Sequence, residues 1–103
     1  MRPIHIARLD KTRPVLILTR ELVRPHLARV TVAPITSTIR GLSTEVAVGP
    51  ANGLEHESVV SCDNIVTVPT SAVGRQVGYL HPAQEPELAE AIQTAFDLAF
   101  DVL

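Results

Sequence analysis

Hydrophobic and polar positions alternate along most of this chain, which is the pattern of half-buried β-strands. The alternating stretches are rich in Val, Ile and Thr, and they are separated by residues that favour turns. The first two stretches are close together and predict a β-hairpin. The pattern predicts strands over residues 3–9, 13–19, 28–38, 43–49 and 75–80, and two short strands within 58–69 that meet at a kink near Cys62–Asp63.

The end of the chain follows a helical period instead. Pro86 suits the first position of a helix over residues 85–103, with Glu85 and Glu87 near its positive end. Residues 19–27 predict only a loop or one helical turn, with Thr19 as its N-cap and Pro25 as its end. The apolar stripe expected to pack on the body consists of Leu88, Ile92, Ala95, Phe96 and Ala99.

Short strands followed by one helix predict a mainly β fold. We expect an SH3-like small barrel, or curled antiparallel sheet, of five to seven short strands capped by the C-terminal helix. The chain of 103 residues fits a single domain, residues 1–103.

Composition narrows the class of protein. Hydrophobic residues make up 46% of the chain but aromatic residues only 3%, so the core must be aliphatic. Such a small core would gain from burying a second subunit, which favours a homodimer. No apolar run has the length of a membrane span and no signal peptide is evident. The single cysteine, Cys62, fits a reducing compartment, so we expect a cytoplasmic protein.

Charge is divided unevenly between the two ends of the chain. Residues 1–40 contain eight basic and two acidic side chains, whereas residues 41–103 contain one basic and nine acidic ones. Seven of the eight basic residues are arginines, whose planar guanidinium binds phosphate bidentately. The division predicts a cationic face for a polyanion, with the acidic groups displayed elsewhere.

Several kinds of catalytic site find no support in the sequence. The four histidines have no metal-ligand spacing and there is one cysteine, so no metal site is predicted. No phosphate-binding glycine loop or dinucleotide motif is present, so we expect no cofactor. The residues Glu55–Glu57, of sequence EHE, favour an exposed turn over an acid–base cluster.

Two polar stretches next to predicted strands are the better candidates. Arg13 and Pro14 precede the buried run of residues 15–18, in the segment that begins at Lys11. Thr36, Ser37 and Thr38 end the third strand, with Thr36 and Thr38 facing one side and Ser37 the other. Their hydroxyls, together with the nearby Arg40, can donate hydrogen bonds to phosphate oxygens.

The order of the motifs RPVLIL, VAPITS, TEVAV and SVVSCDNIVTV resembles that of the MazF/PemK family of toxin endoribonucleases. The resemblance covers nearly the whole chain. It implies an SH3-like barrel, a homodimer, an antitoxin partner and sequence-selective cleavage of single-stranded messenger, transfer or ribosomal RNA without a metal. By position in these motifs, it implies that Arg13 and Thr36 line the active site. Lys11, Ser37, Thr38 and Arg40 are the expected RNA contacts.

The family resemblance implies attack by the ribose 2′-OH, which agrees with the absence of a marked nucleophile in the sequence. One departure is the short link between the first two strands, which lacks the usual acidic candidate for general base; Asp10 is the nearest carboxylate. Two alternatives stay open at this point. One is an inhibitory module of the same fold that poisons gyrase, and the other is a barrel that binds RNA without cutting it.

Overall fold

The computed structural model describes residues 1–99 and confirms a mainly β fold. This part of the chain contains seven strands and one α-helix. Five one-turn 3-10 helices connect some of these elements, at Arg24–His26, Pro50–Asn52, Cys62–Asn64, Thr70–Ala72 and Pro82–Gln84. The strands are β1 (Arg2–Arg8), β2 (Thr12–Ile17), β3 (Arg29–Thr36), β4 (Glu45–Val48), β5 (Ser58–Ser61), β6 (Val66–Pro69) and β7 (Val73–Leu80), and the helix is α1 (Glu85–Ala95).

The strands form one curled antiparallel sheet in the order β4-β5-β3-β2-β1-β7, and β6 pairs with β3 beside this path. The predicted hairpin is confirmed, because β1 and β2 pair across the short link at residues 9–11. Strand β3 pairs with β2 and β6 along its first part and with β5 at its end. This change of partner curls the sheet and opens the edge on which the polar residues lie.

Aliphatic side chains fill both sides of the curled sheet. The larger cluster lies beneath α1 and includes the fully buried Ile4, Leu16, Leu80 and Leu88. A smaller cluster packs around Val15 on the other face of β2. Successive residues of a strand point to opposite faces, so the run of residues 15–17 contributes to both clusters. β2 is therefore held from both sides close to Arg13.

The helix is shorter than the sequence indicates. It ends at Ala95, and Asp97 adopts a left-handed backbone with φ 54°. The amide of Leu98 donates to the carbonyl of Gln93, and that of Asp97 donates to Thr94, which is a Schellman ending. The prediction that Phe96 and Ala99 continue the packed stripe is wrong, because the reversal leaves both exposed. The predicted continuation over residues 100–103 lies outside the described residues.

The connection from β2 to β3 also differs in detail. A single 3-10 turn forms at Arg24–His26, as expected, but Thr19 does not cap it. The Thr19 hydroxyl instead accepts a hydrogen bond from the amide of Thr31 at 2.8 Å. Pro25 stands inside the turn rather than ending it, since proline is well tolerated in a first helical turn.

The 3-10 turn Pro50–Asn52 lies unusually close to β7. A Cβ added at Gly53 would lie 2.1 Å from the carbonyl oxygen of Val77, and one added at Gly78 would lie 1.8 Å from that of Asn52. The Asn52 side chain is buried and donates to the carbonyl of Tyr79 at 2.9 Å. This contact fixes the start of the segment 53–58 against the sheet.

Two further features bear on the class of protein. Within residues 1–99, no helix has the length and apolar character that crossing a membrane requires. The same residues contain no group of three or more His, Cys, Asp or Glu side chains arranged to hold a metal ion.

Candidate active site

Two hollows adjoin each other where β2 begins and β3 ends. The first hollow, of about 740 Å³, lies between the β1–β2 link and the segments that flank β4 and β5. The second hollow, of about 640 Å³, lies between the segment 53–58 and β7. Lys11, Arg13 and Thr36 line both, and we call these three residues the ridge.

The strand register brings Arg13 and Thr36 together. Val15 pairs with Pro34 and Ile17 with Val32, and the same register continued by two residues places Arg13 opposite Thr36. Side chains at opposite positions of antiparallel strands are neighbours on one face. On its other side, Arg13 pairs with the small Ala7 of β1, which leaves room for the long arginine side chain.

The guanidinium of Arg13 is held by Asp10 through one of its nitrogens, and its other hydrogen-bond donors are not used by any of the described residues. Its Nη2 lies 3.3 Å from Oδ2 of Asp10, and the other oxygen of Asp10 accepts the backbone amide of Lys11 at 2.9 Å. The Nε of Arg13 is buried and has no hydrogen-bond partner among the described residues. A guanidinium has five donor hydrogens, so a phosphate placed on the ridge could engage the Nη hydrogens that Asp10 does not use.

The end of β3 presents its hydroxyls to both hollows. Thr36 Oγ1 accepts the backbone amide of Thr38 at 3.1 Å, which leaves its own O–H free to donate. Thr38 lines the first hollow and Ser37 the second, as the alternation along an extended chain predicts. Arg40 lines the first hollow. All six residues chosen from the sequence therefore border one or both hollows.

The first hollow contains more acidic groups than the sequence indicates. Asp10, Glu45 and Asp63 line it together with the basic Lys11, Arg13 and Arg40. The expectation that the acidic residues lie away from the cationic face is therefore wrong for this hollow. Charge counting along the chain missed this arrangement because Glu45 and Asp63 reach the site only through the pairing of β4 with β5.

Two of these carboxylates organise the wall of the first hollow. Glu45 accepts backbone amides of Arg40, Gly41 and Leu42 at 2.8–3.4 Å, and so shapes the loop after β3. Asp63 accepts the hydroxyl of the buried Thr44 at 2.6 Å. The kink anticipated near Cys62–Asp63 is the 3-10 turn that brings Asp63 to this position.

Cys62 lies next to Asp63 in the chain but does not line the first hollow, and its thiol is unsuited to act as a nucleophile. The side chain is buried in the core. Burial and the nearby Asp63 carboxylate raise the pKa of its thiol to about 11. A thiol with that pKa stays protonated at neutral pH, and only the thiolate attacks readily.

The second hollow contains residues that sequence reasoning did not select. His56, Arg75 and Gln76 line it, beside an apolar surface formed by Leu54 and Val77. Glu55 and His56 are exposed, as the prediction of a turn requires, yet both border this space. Arg75 is the one basic residue of the acidic part of the chain, which is a signal that could have drawn attention to it.

Comparison with known proteins agrees with the order of motifs. The family model for the PemK-like, MazF-like toxin of type II toxin–antitoxin systems matches residues 5–96. The chain belongs to the MazF/PemK family. The match spans all seven strands except the first residues of β1, and it includes both hollows.

Individual members of the MazF/PemK family are similar over nearly their whole length. "Endoribonuclease MazF3" of Mycobacterium tuberculosis is 70% identical over 98 residues, which is 95% of each chain. The solved structure "Mycobacterium tuberculosis toxin MazF-mt6" superposes with a TM-score of 0.95 at 69% identity, covering 96% of this chain and 100% of that one. A mycobacterial "Endoribonuclease in complex with its cognate antitoxin" superposes with a TM-score of 0.84 at 29% identity, covering 96% and 95%.

Proposed function

We propose that this protein is a toxin that cleaves single-stranded RNA, with selectivity for sequence, at the ridge between the two hollows. The observation that carries the proposal is the meeting of Arg13 and Thr36 at the junction of β2 and β3, where both border the same open space. Relatives named as endoribonucleases support the activity. We propose further that Arg13 and Thr36 are the catalytic residues.

In this proposal the nucleophile belongs to the substrate. The ribose 2′-oxygen bonds to the adjacent phosphorus, and the bond from phosphorus to the 5′-oxygen of the next nucleotide breaks. Arg13 donates hydrogen bonds to the phosphate oxygens and to the leaving 5′-oxygen as negative charge develops there, and that oxygen takes up a proton from solvent to become the 5′-OH. Thr36 donates its free O–H to a nonbridging oxygen. No metal ion takes part in this sequence of steps.

A carboxylate of the first hollow is the proposed acceptor of the 2′-OH proton. Glu45 accepts three backbone amides, so its carboxylate is already engaged in shaping the loop after β3. Asp10 and Asp63 each keep unused acceptor positions facing the hollow. A comparison of pH–rate profiles for Asp10→Asn and Asp63→Asn would identify the base as the residue whose loss removes the acidic limb.

The RNA would extend across the ridge into both hollows. Lys11, Ser37, Thr38 and Arg40 are the proposed contacts to phosphate and sugar. Messenger, transfer and ribosomal RNA all offer single-stranded segments that fit such a surface. Few aromatic side chains are present, so base recognition would rest on hydrogen bonds and on stacking against flat polar groups.

The remaining features follow from family membership. We propose that residues 1–103 form one toxin domain that acts as a homodimer in the cytoplasm. We also propose an antitoxin partner, because a related mycobacterial endoribonuclease has been solved with its cognate antitoxin. An acidic, disordered antitoxin segment that orders on binding would cover the basic ridge and block access of RNA.

Incubating the purified protein with a mixed RNA pool in the presence of EDTA tests the proposed activity. Discrete fragments that Arg13→Ala no longer produces are the expected result. RNA binding without cleavage would favour the barrel that binds RNA without cutting it. Inhibition of gyrase, with neither binding nor cleavage of RNA, would favour the gyrase-poisoning module. Activity that requires an added divalent cation would contradict the metal-independent reaction.

A further inference from the structure

The second hollow holds three polar side chains for which the proposed cleavage reaction has no use. His56, Arg75 and Gln76 border the ridge, but the chemistry assigned to Arg13 and Thr36 needs none of them. Phosphate contacts alone carry no sequence information, so a sequence-selective ribonuclease must also contact base edges. These three residues are therefore candidates for base recognition.

The surface of the second hollow suits an unpaired nucleobase. Leu54 and Val77 give it an apolar side, and polar groups surround its mouth. Unpaired bases in protein complexes stack on aromatic or histidine rings and on guanidinium planes. The described aromatic residues Tyr79 and Phe96 line neither hollow, so His56 provides the flat ring next to the ridge.

The start of the wall of the second hollow is packed against the sheet before any ligand binds. The close approach of Gly53 and Gly78 and the buried Asn52 hold the start of the segment 53–58 against β7. A pocket whose walls are already in place loses little entropy when it binds a base. Side chains on such a support can discriminate between ligands of similar size.

The two polar residues of β7 offer complementary contacts. Gln76 donates one amide hydrogen to the carbonyl of Gly78 at 3.2 Å, which orients the amide and leaves its oxygen and second hydrogen for a base edge. Arg75 forms no ion pair with any residue of the described range 1–99. Its charge is therefore available to a phosphate.

We propose that the second hollow is a base-recognition pocket for one nucleotide adjoining the scissile phosphate. The base stacks on His56, Gln76 hydrogen-bonds its edge, and Arg75 contacts the phosphate of the same nucleotide. This assignment rests on the proposed ribonuclease function and adds the part of the molecule that selects the sequence.

Sequencing the fragment ends from a randomised RNA pool tests the role of Gln76. The wild-type protein gives a preference at each position around the cut. Gln76→Ala should lose the preference at one position next to the cut and keep the others, whereas Gln93→Ala on α1 should change none. Retention of every preference by Gln76→Ala, or their loss at several positions, would overturn the proposal.

Binding to an uncleavable oligonucleotide tests His56 and Arg75. The probe is the preferred sequence with a 2′-deoxyribose at the cut site. His56→Ala should weaken binding by about 5- to 150-fold, the range that corresponds to loss of one stacked base. Arg75→Ala should weaken binding and reduce the slope of log affinity against log salt by about 0.7, the value for one phosphate contact to a single strand.

Matched variants outside the hollows show whether the weaker binding results from the position of the residue or merely from removing a positive charge or an imidazole ring. His26→Ala removes an exposed histidine that lines neither hollow, and Arg29→Ala removes a charge at the opposite end of β3, about 23 Å along the strand from Thr36. If both pocket variants bind as tightly as their controls, the base pocket is wrong. If the wild-type protein cuts no RNA, the proposed function itself fails.

Discussion

The two hollows share one ridge but differ in charge and in the way their walls are built. The first contains three basic and three acidic side chains, and its wall is a loop shaped by hydrogen bonds to the Glu45 carboxylate. The second contains three basic side chains and one acidic one, and its wall is a turn packed against β7 through two glycines. This difference is in keeping with the two proposals above, which assign proton transfer to the first hollow and base recognition to the second.

The largest expected effect comes from the ridge, because both hollows depend on it. Arg13→Ala should reduce cleavage by about 10²–10³-fold, the usual loss for one donor that stabilises a transition state. Thr36→Val should also reduce cleavage strongly. Arg13→Lys should recover only part of the rate, since an ammonium lacks the planar fork. Fragment formation over time provides the measurement.

Stability should change little in the Arg13→Ala variant, because the residue lies near the start of β2, outside both core clusters, and the Asp10 carboxylate that it pairs with is well exposed. Thermal unfolding checks this point. If the variant kept more than about half of the wild-type rate, Arg13 would not be the catalytic group, and the ridge would not be the site of cleavage.

Changing the wall of the second hollow, the turn that packs against β7, should have the next largest effect. Gly78→Ala places a Cβ 1.8 Å from the Asn52 carbonyl oxygen, so the turn must move away from β7. Overpacking of this kind typically costs about 1–3 kcal/mol of unfolding free energy. Gly74→Ala on the same strand is a matched control, since its Cβ would meet the Ile6 carbonyl oxygen at 3.2 Å.

Denaturant unfolding of the two glycine variants gives the comparison. The Gly78 variant should be less stable than the Gly74 variant and should also lose sequence preference in the fragment pattern. Equal stability of the two variants would show that the turn adapts easily. The contrast between a packed turn in the second hollow and a hydrogen-bonded loop in the first would then be wrong.

The wall of the first hollow, the loop held by hydrogen bonds to Glu45, should tolerate more change. Glu45→Ala frees three backbone amides of an exposed loop, which water can satisfy, so the expected cost is about 1 kcal/mol or less. The rate should fall while the sequence preference stays, because the second hollow is unaltered. Unfolding and fragment sequencing test both parts, and a changed preference would contradict the separation of the two hollows.

Most of the fold could be predicted from the sequence, but only part of the site could. Alternation of apolar residues identified the seven strands. The places next to predicted strands made Arg13 and Thr36 candidates, and the family resemblance selected them. Asp63 and Gln76 were not selected from the sequence as site residues. Their positions at the hollows depend on which strands pair, and alternation alone carries no information about pairing. The end of α1 was missed since Asp97 reverses the chain in a region where the apolar spacing continues.

The smallest effect concerns a contact outside both hollows. The hydrogen bond from Arg2 at 2.9 Å lowers the pKa of Glu85, although partial burial opposes it. The Arg2–Glu85 pair therefore stabilises the folded protein above about pH 4.5, the pKa of Glu85 in the unfolded chain. This stabilisation is lost as the pH falls through the lower pKa of Glu85 in the folded protein. Since Glu85 is well exposed, it should amount to less than about 1 kcal/mol.

Denaturant unfolding of Glu85→Gln at neutral and acidic pH provides the test. The variant should be slightly less stable than the wild type at neutral pH, and the two should converge in acid. Its cleavage rate should equal that of the wild type. A slower rate at neutral pH would mean that the site extends beyond the two hollows.

The most direct test of the account replaces one ribose of the preferred RNA, at the cut site, by 2′-deoxyribose. This change removes the proposed nucleophile and leaves the base and phosphate contacts nearly intact. The account predicts that the deoxy substrate binds but stays uncut in the presence of EDTA. The unmodified RNA should give an upstream fragment with a 2′,3′-cyclic phosphate and a downstream fragment with a 5′-OH. Efficient cutting of the deoxy substrate, or a 5′-phosphate on the downstream fragment, would contradict the mechanism at the ridge.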